Sequence, residues 1–215
     1  MAITHLNDDN KLDVVVIYQF ESSLTVLLGN DNGTLQTLIR YSTGLGPSSV
    51  VAGDFNDDNK MDLVIANEGE DTVSVFMGHG DGTLQTQRKF ASGKRPSAVR
   101  TADFNNDYKM DLAVADGGDN AVSILLGNGD GTFQVNIQYA VGYIPQSIVV
   151  ADINKDNKTD LIAINSGEKT ISVLCGNGDG TFRSQVKFNT GYNPTNAVAV
   201  SAYYLVLETE RLWIK

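Results

Sequence analysis

The four prolines of this chain, Pro47, Pro96, Pro145 and Pro194, stand 49 residues apart. Gly44, Gly93, Gly142 and Gly191 keep the same step. So do Tyr41, Phe90, Tyr139 and Phe188, and so do Gly29, Gly78, Gly127 and Gly176. No insertion or deletion breaks the register. A chain with such a period folds as a row of equivalent units, each burying its apolar faces against its neighbours. The 215 residues hold four units, about 1–45, 46–94, 95–143 and 144–192, then a first strand to 200 and a divergent tail, 201–215.

Each unit reads as four short strands. In the second, Ser48–Gly53, Leu63–Asn67, Thr72–Met77 and about Leu84–Phe90 are β-favouring runs separated by Gly, Asn and Asp clusters. No segment has room for a periodic helix of useful length. The third strand carries Leu24, Val73, Val122 and Ile171, then Val26, Val75, Ile124 and Val173, on one face, and Leu27, Phe76, Leu125 and Leu174 on the other. Apolar residues on both faces mean that both faces are covered. A small sheet covered on both sides and repeated every 49 residues is a β-propeller blade. The expected fold is therefore all-β, a β-propeller built from four-stranded blades. Cys175 takes the place of Leu28, Met77 and Leu126 and is expected to be a buried core thiol.

The loop after the first strand carries the chemistry. It reads Asp54-Phe-Asn56-Asp-Asp58-Asn-Lys60-Met-Asp62 in unit two and Asp103-Phe-Asn105-Asn-Asp107-Tyr-Lys109-Met-Asp111 in unit three. Unit four has Asp152-Ile-Asn154-Lys-Asp156-Asn-Lys158-Thr-Asp160, and unit one His5-Leu-Asn7-Asp-Asp9-Asn-Lys11-Leu-Asp13. Oxygen side chains recur at loop positions 1, 3, 5 and 9. Ca²⁺ takes six to eight oxygens at about 2.3–2.6 Å. Alternate residues of a curling loop can converge on one such ion, with the backbone carbonyl of position 7 (Lys11, Lys60, Lys109 or Lys158) completing the set. Three Ca²⁺ sites are expected, and a fourth that is weak or empty because His5 replaces the first aspartate. Position 6 calls for a left-handed backbone, which Asn10, Asn59 and Asn157 tolerate and Tyr108 does not.

This is half of an EF-hand loop without the closing glutamate or the following helix. Mg²⁺ prefers fewer protein ligands, and one Cys with two His cannot make repeated zinc sites. The competing reading is an Asx-rich turn in which the carboxylates cap backbone N–H groups. Gly-Asn-Gly-Asp-Gly-Thr-Phe, at 127–133 and 176–182, reads as a tight turn between strands three and four rather than a phosphate loop, since no helix or lysine follows.

The pattern DFNDDNKMDLVIAN followed by GHGDGTL, and again DFNNDYKMDLAVAD followed by GNGDGTF, resembles the FG-GAP/VCBS repeat and is similar to the blades of the integrin alpha-chain propeller. The resemblance runs from about residue 1 to 200. It implies calcium loops that stiffen one rim, and a non-enzymatic module for recognition or adhesion, extracellular or on the cell surface. The alternative is a lectin-like propeller with glycans between blades. Tyr143 and Tyr192 share one rim position for that, but Lys94 and Leu45 do not match them. The partner is expected to be a protein or a glycan, together with neighbouring blades if the chain belongs to a larger propeller.

Charge agrees with this. Of 20 Asp, 11 fall at the proposed ligand positions, and they dominate a net charge of −10. That balance disfavours nucleic acid and anionic membrane as partners, and no apolar run is long enough to span a bilayer. The N-terminus has no basic and apolar leader as written. With only His5 and His79, and neither repeated, a nucleophile–base pair is not expected. The fifth first strand, from Asn196, reaches Ser201 where the next loop aspartate would stand. It is expected either to pair back with unit one and close a four-bladed ring or to belong to a larger propeller, the second being favoured. Tyr203–Leu207 and Trp213 would then be partly exposed or form an improvised strand.

Overall fold

The computed structural model describes residues 1–7, 9–191 and Pro194, and the backbone of 197–201, 204–207 and 210–212. The expectations placed on Tyr192, Asn196, Tyr203 and Trp213 lie outside the described residues.

Each unit folds as an antiparallel four-stranded meander. Unit one has β1 (Ala2–Thr4), β2 (Asp13–Tyr18), β3 (Ser23–Gly29) and β4 (Leu35–Ser42), and unit two has β5 (Pro47–Gly53), β6 (Asp62–Asn67), β7 (Thr72–Phe76) and β8 (Arg88–Ala91). Unit three has β9 (Pro96–Ala102), β10 (Asp111–Asp116), β11 (Ala121–Leu125) and β12 (Ile137–Ala140). Unit four has β13 (Pro145–Ala151), β14 (Asp160–Asn165), β15 (Thr170–Leu174) and β16 (Val186–Asn189). In every sheet the strands pair in chain order. The short β1 is the expected stub of a first strand.

The fourth strand starts later than its composition suggests. Leu84 joins its own sheet only through an isolated bridge to Gly78, and Phe133 and Phe182 do the same with Gly127 and Gly176. These side chains leave the blade and enter the preceding one. Phe133 meets Phe55 and Phe90 of unit two edge to face at 5.9 and 5.4 Å, and Phe182 meets Phe104 and Tyr139 of unit three at 5.6 and 5.5 Å.

The core lies between blades. Val73 and Val75 pack with Leu112, Val114 and Leu125 of the next unit, and Val122 and Ile124 pack with Leu161, Ala163 and Leu174 of the one after. Leu24 and Val26 likewise meet Leu63, Ile65 and Phe76. β6, β10 and β14 are buried at every residue, as strands covered on both faces must be. Leu27, on the face of blade one turned away from blade two, is only half-buried.

At the far end, β17 (Ala197–Ser201) pairs with β18 (Tyr204–Leu207), which pairs with β19 (Glu210–Leu212). This realises the improvised strand. The partner of β1 is β2, so among the described residues the ends do not join. The molecule is an open stack of propeller blades, and the four-bladed ring closed by strand exchange is not formed.

Candidate metal-binding loops

Strand direction places the aspartate loop (β5 to β6 in unit two) and the glycine turn (β7 to β8) on the same rim. The position-9 aspartate ties them together. Asp62 is fully buried. Its Oδ2 accepts the Phe55 N–H at 2.9 Å and its Oδ1 accepts the Gly78 N–H at 2.8 Å. Asp13, Asp111 and Asp160 repeat the pair with Leu6 and Gly29, Phe104 and Gly127, and Ile153 and Gly176. Gly78 is required by close approach: a Cβ there would stand 2.2 Å from the Met61 carbonyl oxygen.

The remaining acceptors curl above this anchor. The Asp54 carboxylate accepts N–H bonds from Asn56, Asp58 and Asn59, the Asn56 Oδ1 accepts one from Asp58, and the Asp58 Oδ1 accepts one from Lys60. Asp103, Asn105 and Asp107 form the same set with N–H groups up to Lys109. In unit four Asp152 accepts from Lys155, Asp156 and Asn157, Asn154 from Asp156, and Asp156 from Lys158. Position 6 is left-handed in all four loops, with φ of 59° at Asn10, 62° at Asn59, 65° at Tyr108 and 60° at Asn157. Position 4 is left-handed too, at Asp57, Asn106 and Lys155, which the sequence reading missed. Asp and Asn at two of these positions were a signal for it, and Lys155 hid it.

The oxygens of positions 1, 3 and 5 are therefore gathered on one curl, with position 9 beneath. Burial pushes the Asp62 carboxyl up to about 6, against the pull of its two N–H donors and with a further push from Asp58 and Asp54. Asp111 stands at about 6 for the same reasons, with Asp107 and Asp103 adding to burial. Among the described residues, no three His, Cys, Asp or Glu side chains are drawn into a closed ligand set.

Unit one differs. The His5 Nδ1 lies 2.7 Å from the Lys11 carbonyl oxygen, the position-7 acceptor. The Lys11 ammonium turns to Asp31 at 3.1 Å and Asp9 at 3.7 Å. Asn7 Oδ1 is buried without a hydrogen-bond partner, beside a cavity of about 220 Å³ lined by His5, Asn7, Asn59 and Lys60.

Neighbouring units are stitched at this rim. The turn amides of Gly82, Gly131 and Gly180 donate to the position-2 carbonyls of Leu6, Phe55 and Phe104 in the preceding unit, at 2.8–2.9 Å. The same turns cover Leu28, Met77 and Leu126. Cys175, at the equivalent place, is half-buried as Leu28 and Leu126 are, rather than the fully buried core thiol expected. The turn reading itself holds: Gly80, Gly82, Gly129, Gly131, Gly178 and Gly180 all have positive φ.

Stacked four-stranded blades of this kind define a β-propeller repeat protein. The chain belongs to the FG-GAP-like repeat family, whose pattern matches residues 5–65, 54–114 and 103–163. No curated protein matches it. Among solved structures it is similar to BBS1N in a complex with ARL6DN, with TM-score 0.70 and 13% identity over 96% of this chain and 60% of that one. It is similar also to an Agrocybe aegerita lectin that recognises non-reducing terminal N-acetylglucosamine, with TM-score 0.60 and 18% identity over 87% of this chain and 51% of that one. A putative 6-phosphogluconolactonase from Bacteroides fragilis gives TM-score 0.68 and 16% identity over 90% and 55%. The chain thus spans roughly half to three fifths of these structures, and at such identities the likeness is one of fold alone.

Proposed function

We propose that this chain is a non-enzymatic recognition module whose aspartate loops bind Ca²⁺, one ion in each of units two, three and four. The observation that carries the reading is the threefold recurrence of hard oxygen donors at positions 1, 3 and 5 over the buried position-9 carboxylate, which in units two and three feels its neighbours' negative charge. A divalent cation would relieve that repulsion. The donors fit Ca²⁺ chemically. They are all oxygen, and the Asp62 carboxylate, which accepts one N–H on each oxygen, keeps lone pairs for a further ligand. Asp54, Asn56, Asp58 and Asp62 with the Lys60 carbonyl would hold the ion in unit two. Asp103, Asn105, Asp107, Asp111 and the Lys109 carbonyl, and Asp152, Asn154, Asp156, Asp160 and the Lys158 carbonyl, would serve the next two. The ion would act as a rigid cross-link at the rim where units are stitched. Loop one would bind weakly, because His5 supplies no carboxylate.

The reading places the protein outside the cell or on its surface, where calcium is plentiful enough for sites of ordinary extracellular affinity. Among the described residues, no helix is long and apolar enough to cross a membrane. His5 is engaged with a backbone carbonyl and His79 is exposed on the glycine turn, which supports a binding role over catalysis. The test is calcium titration calorimetry on Asp107→Ala and Asp156→Ala. Each is expected to lose one bound ion of three, and an unchanged stoichiometry would refute the ligand assignment.

One observation favours a glycan ligand as the second reading. Phe20 is 99% exposed, where the other units have Gly69, Gly118 and Gly167. It borders a cavity of about 480 Å³ with Gln19, Glu68, Asp71 and Arg95. A solvent-facing ring beside fixed polar groups suits the face of a sugar. Glycan-array binding that is lost in Phe20→Ala would support it, and no binding to any glycan would remove it.

A further inference from the structure

The rim opposite the aspartate loops contains a repeated buried polar cluster, and one copy of it is built differently. In unit two the Asn67 Nδ2 donates to the Ser74 Oγ at 2.8 Å, and that hydroxyl donates to the Gln87 Oε1 at 2.6 Å. In unit four Asn165, Ser172 and Gln185 repeat this at 2.8 and 2.5 Å. Thr72 and Thr170 accept the second amide hydrogen, at 3.1 and 3.0 Å. The direction is the same both times: Asn to Ser to Gln.

Unit three replaces the asparagine with Asp116, which has no amide hydrogen to give. The other members change with it. Gln87 and Gln185 become Asn136, Thr72 and Thr170 become Ala121, and Lys89 and Lys187 become Gln138. The chain of bonds runs backwards. Asn136 Nδ2 donates to the Ser123 Oγ at 3.2 Å, and Ser123 donates to the Asp116 Oδ2 at 2.6 Å. The Asp116 Oδ1 accepts the Gly93 N–H at 3.1 Å.

Among the described residues no cation pairs with this fully buried carboxyl. The other blades place an ion pair on this outer face: Arg40 with Glu21, Lys89 with Glu70, Lys187 with Glu168. Unit three has Gln138 and Asp119 there, joined by a hydrogen bond of 3.3 Å. The charged groups around Asp116 are thus Asp119, on the β10–β11 turn, and Lys94, on the linker from unit two, whose N–H is bonded to the Asp119 carboxylate. From β11 and β12 it meets only the neutral Ser123 and Gln138.

We propose that Asp116 is a reversible proton-binding site that sets the direction of the hydrogen-bond chain in blade three. With a proton, Asp116 donates to the Ser123 hydroxyl, which turns to the Asn136 amide oxygen, and the blade takes the order of its neighbours. Without it, Asp116 is the final acceptor and the order is reversed. The proton comes from and returns to solvent, so no other reactant is involved. Burial pushes the carboxyl up to about 7, with Asp119 adding to it against the pull of Ser123, Gly93 and Gln138. Because the folded value lies above the ordinary 3.8, the stability this group contributes is complete below that value and is lost as pH rises through about 7. Gly93, whose N–H Asp116 holds, opens the linker into unit three.

The test is a ¹³C NMR titration of the aspartate carboxyls of the whole chain, in EDTA and again in calcium. The expected result is a carboxyl titrating at about 7, above the Asp62 and Asp111 carboxyls at about 6, with the same midpoint in both buffers and absent from Asp116→Asn. Ser123→Ala should move its midpoint upward, because the ionised form loses a donor. This second variant keeps the test decisive if Asp116→Asn fails to fold. The proposal is overturned if no calcium-insensitive carboxyl titrates at about 7, if that signal survives in Asp116→Asn, or if Ser123→Ala leaves its midpoint in place.

Discussion

At the residue scale, two positions in the loops carry opposite costs. Tyr108 holds a left-handed backbone with φ 65° and is 93% exposed, so it has the strain of that conformation and little packing in return. Replacing it with Asn, the residue of the other loops, should stabilise the fold by about 1 kcal/mol in urea unfolding. Asp62 does the reverse. It silences two backbone N–H groups that would otherwise be buried without acceptors. Asp62→Ala should cost at least about 2 kcal/mol even in EDTA. A loss seen only in calcium would mean that the residue serves the metal alone. The oxygen pattern at positions 1, 3, 5 and 9 was legible from spacing. The double duty of position 9 was not, because its second partner, the glycine turn, lies 16 residues away and only pairing of the middle strands brings it close.

At the element scale, the residue after the glycine turn decides whether a blade is locked to the one before it. Phe133 is buried between Phe55 and Phe90. Phe133→Ala should cost about 3–5 kcal/mol. Leu35 holds the same place in unit one but is 49% exposed, and Leu35→Ala should stay within about 0.5 kcal/mol of the parent. Similar losses from both variants, measured by urea unfolding, would contradict the inter-blade plug. The strands themselves were legible almost to the residue, since alternation and turn composition are local. The late start of β8, β12 and β16 was not, because an apolar residue after a turn reads as strand whether it faces its own sheet or the neighbouring one. The short helical turn Gln19–Glu21 escaped as well, at a point where unit one departs from the repeat.

At the scale of the whole molecule, the 49-residue period and the apolar residues on both faces of the third strand pointed to a stack of blades, and the structure has that stack. How the two ends meet does not follow from a period, and among the described residues no strand pairing joins them. The acidity also acquires a place. Eleven of the 20 aspartates lie at the proposed ligand positions of four loops on one rim, where the turns of units two, three and four dock on the loop of the unit before. A cation in a loop would therefore stiffen an inter-blade joint as well as a hairpin, and its effect should extend to the whole stack. Binding that favours the folded state adds about 2.7 kcal/mol per site when the free ion stands at 100 times its Kd.

The measurement that tests this most directly is thermal unfolding of the intact chain in EDTA and in millimolar calcium. Calcium is predicted to raise the melting temperature as a single cooperative transition, and EDTA to lower it again. A melting temperature that is the same in both buffers would contradict the calcium-stiffened propeller.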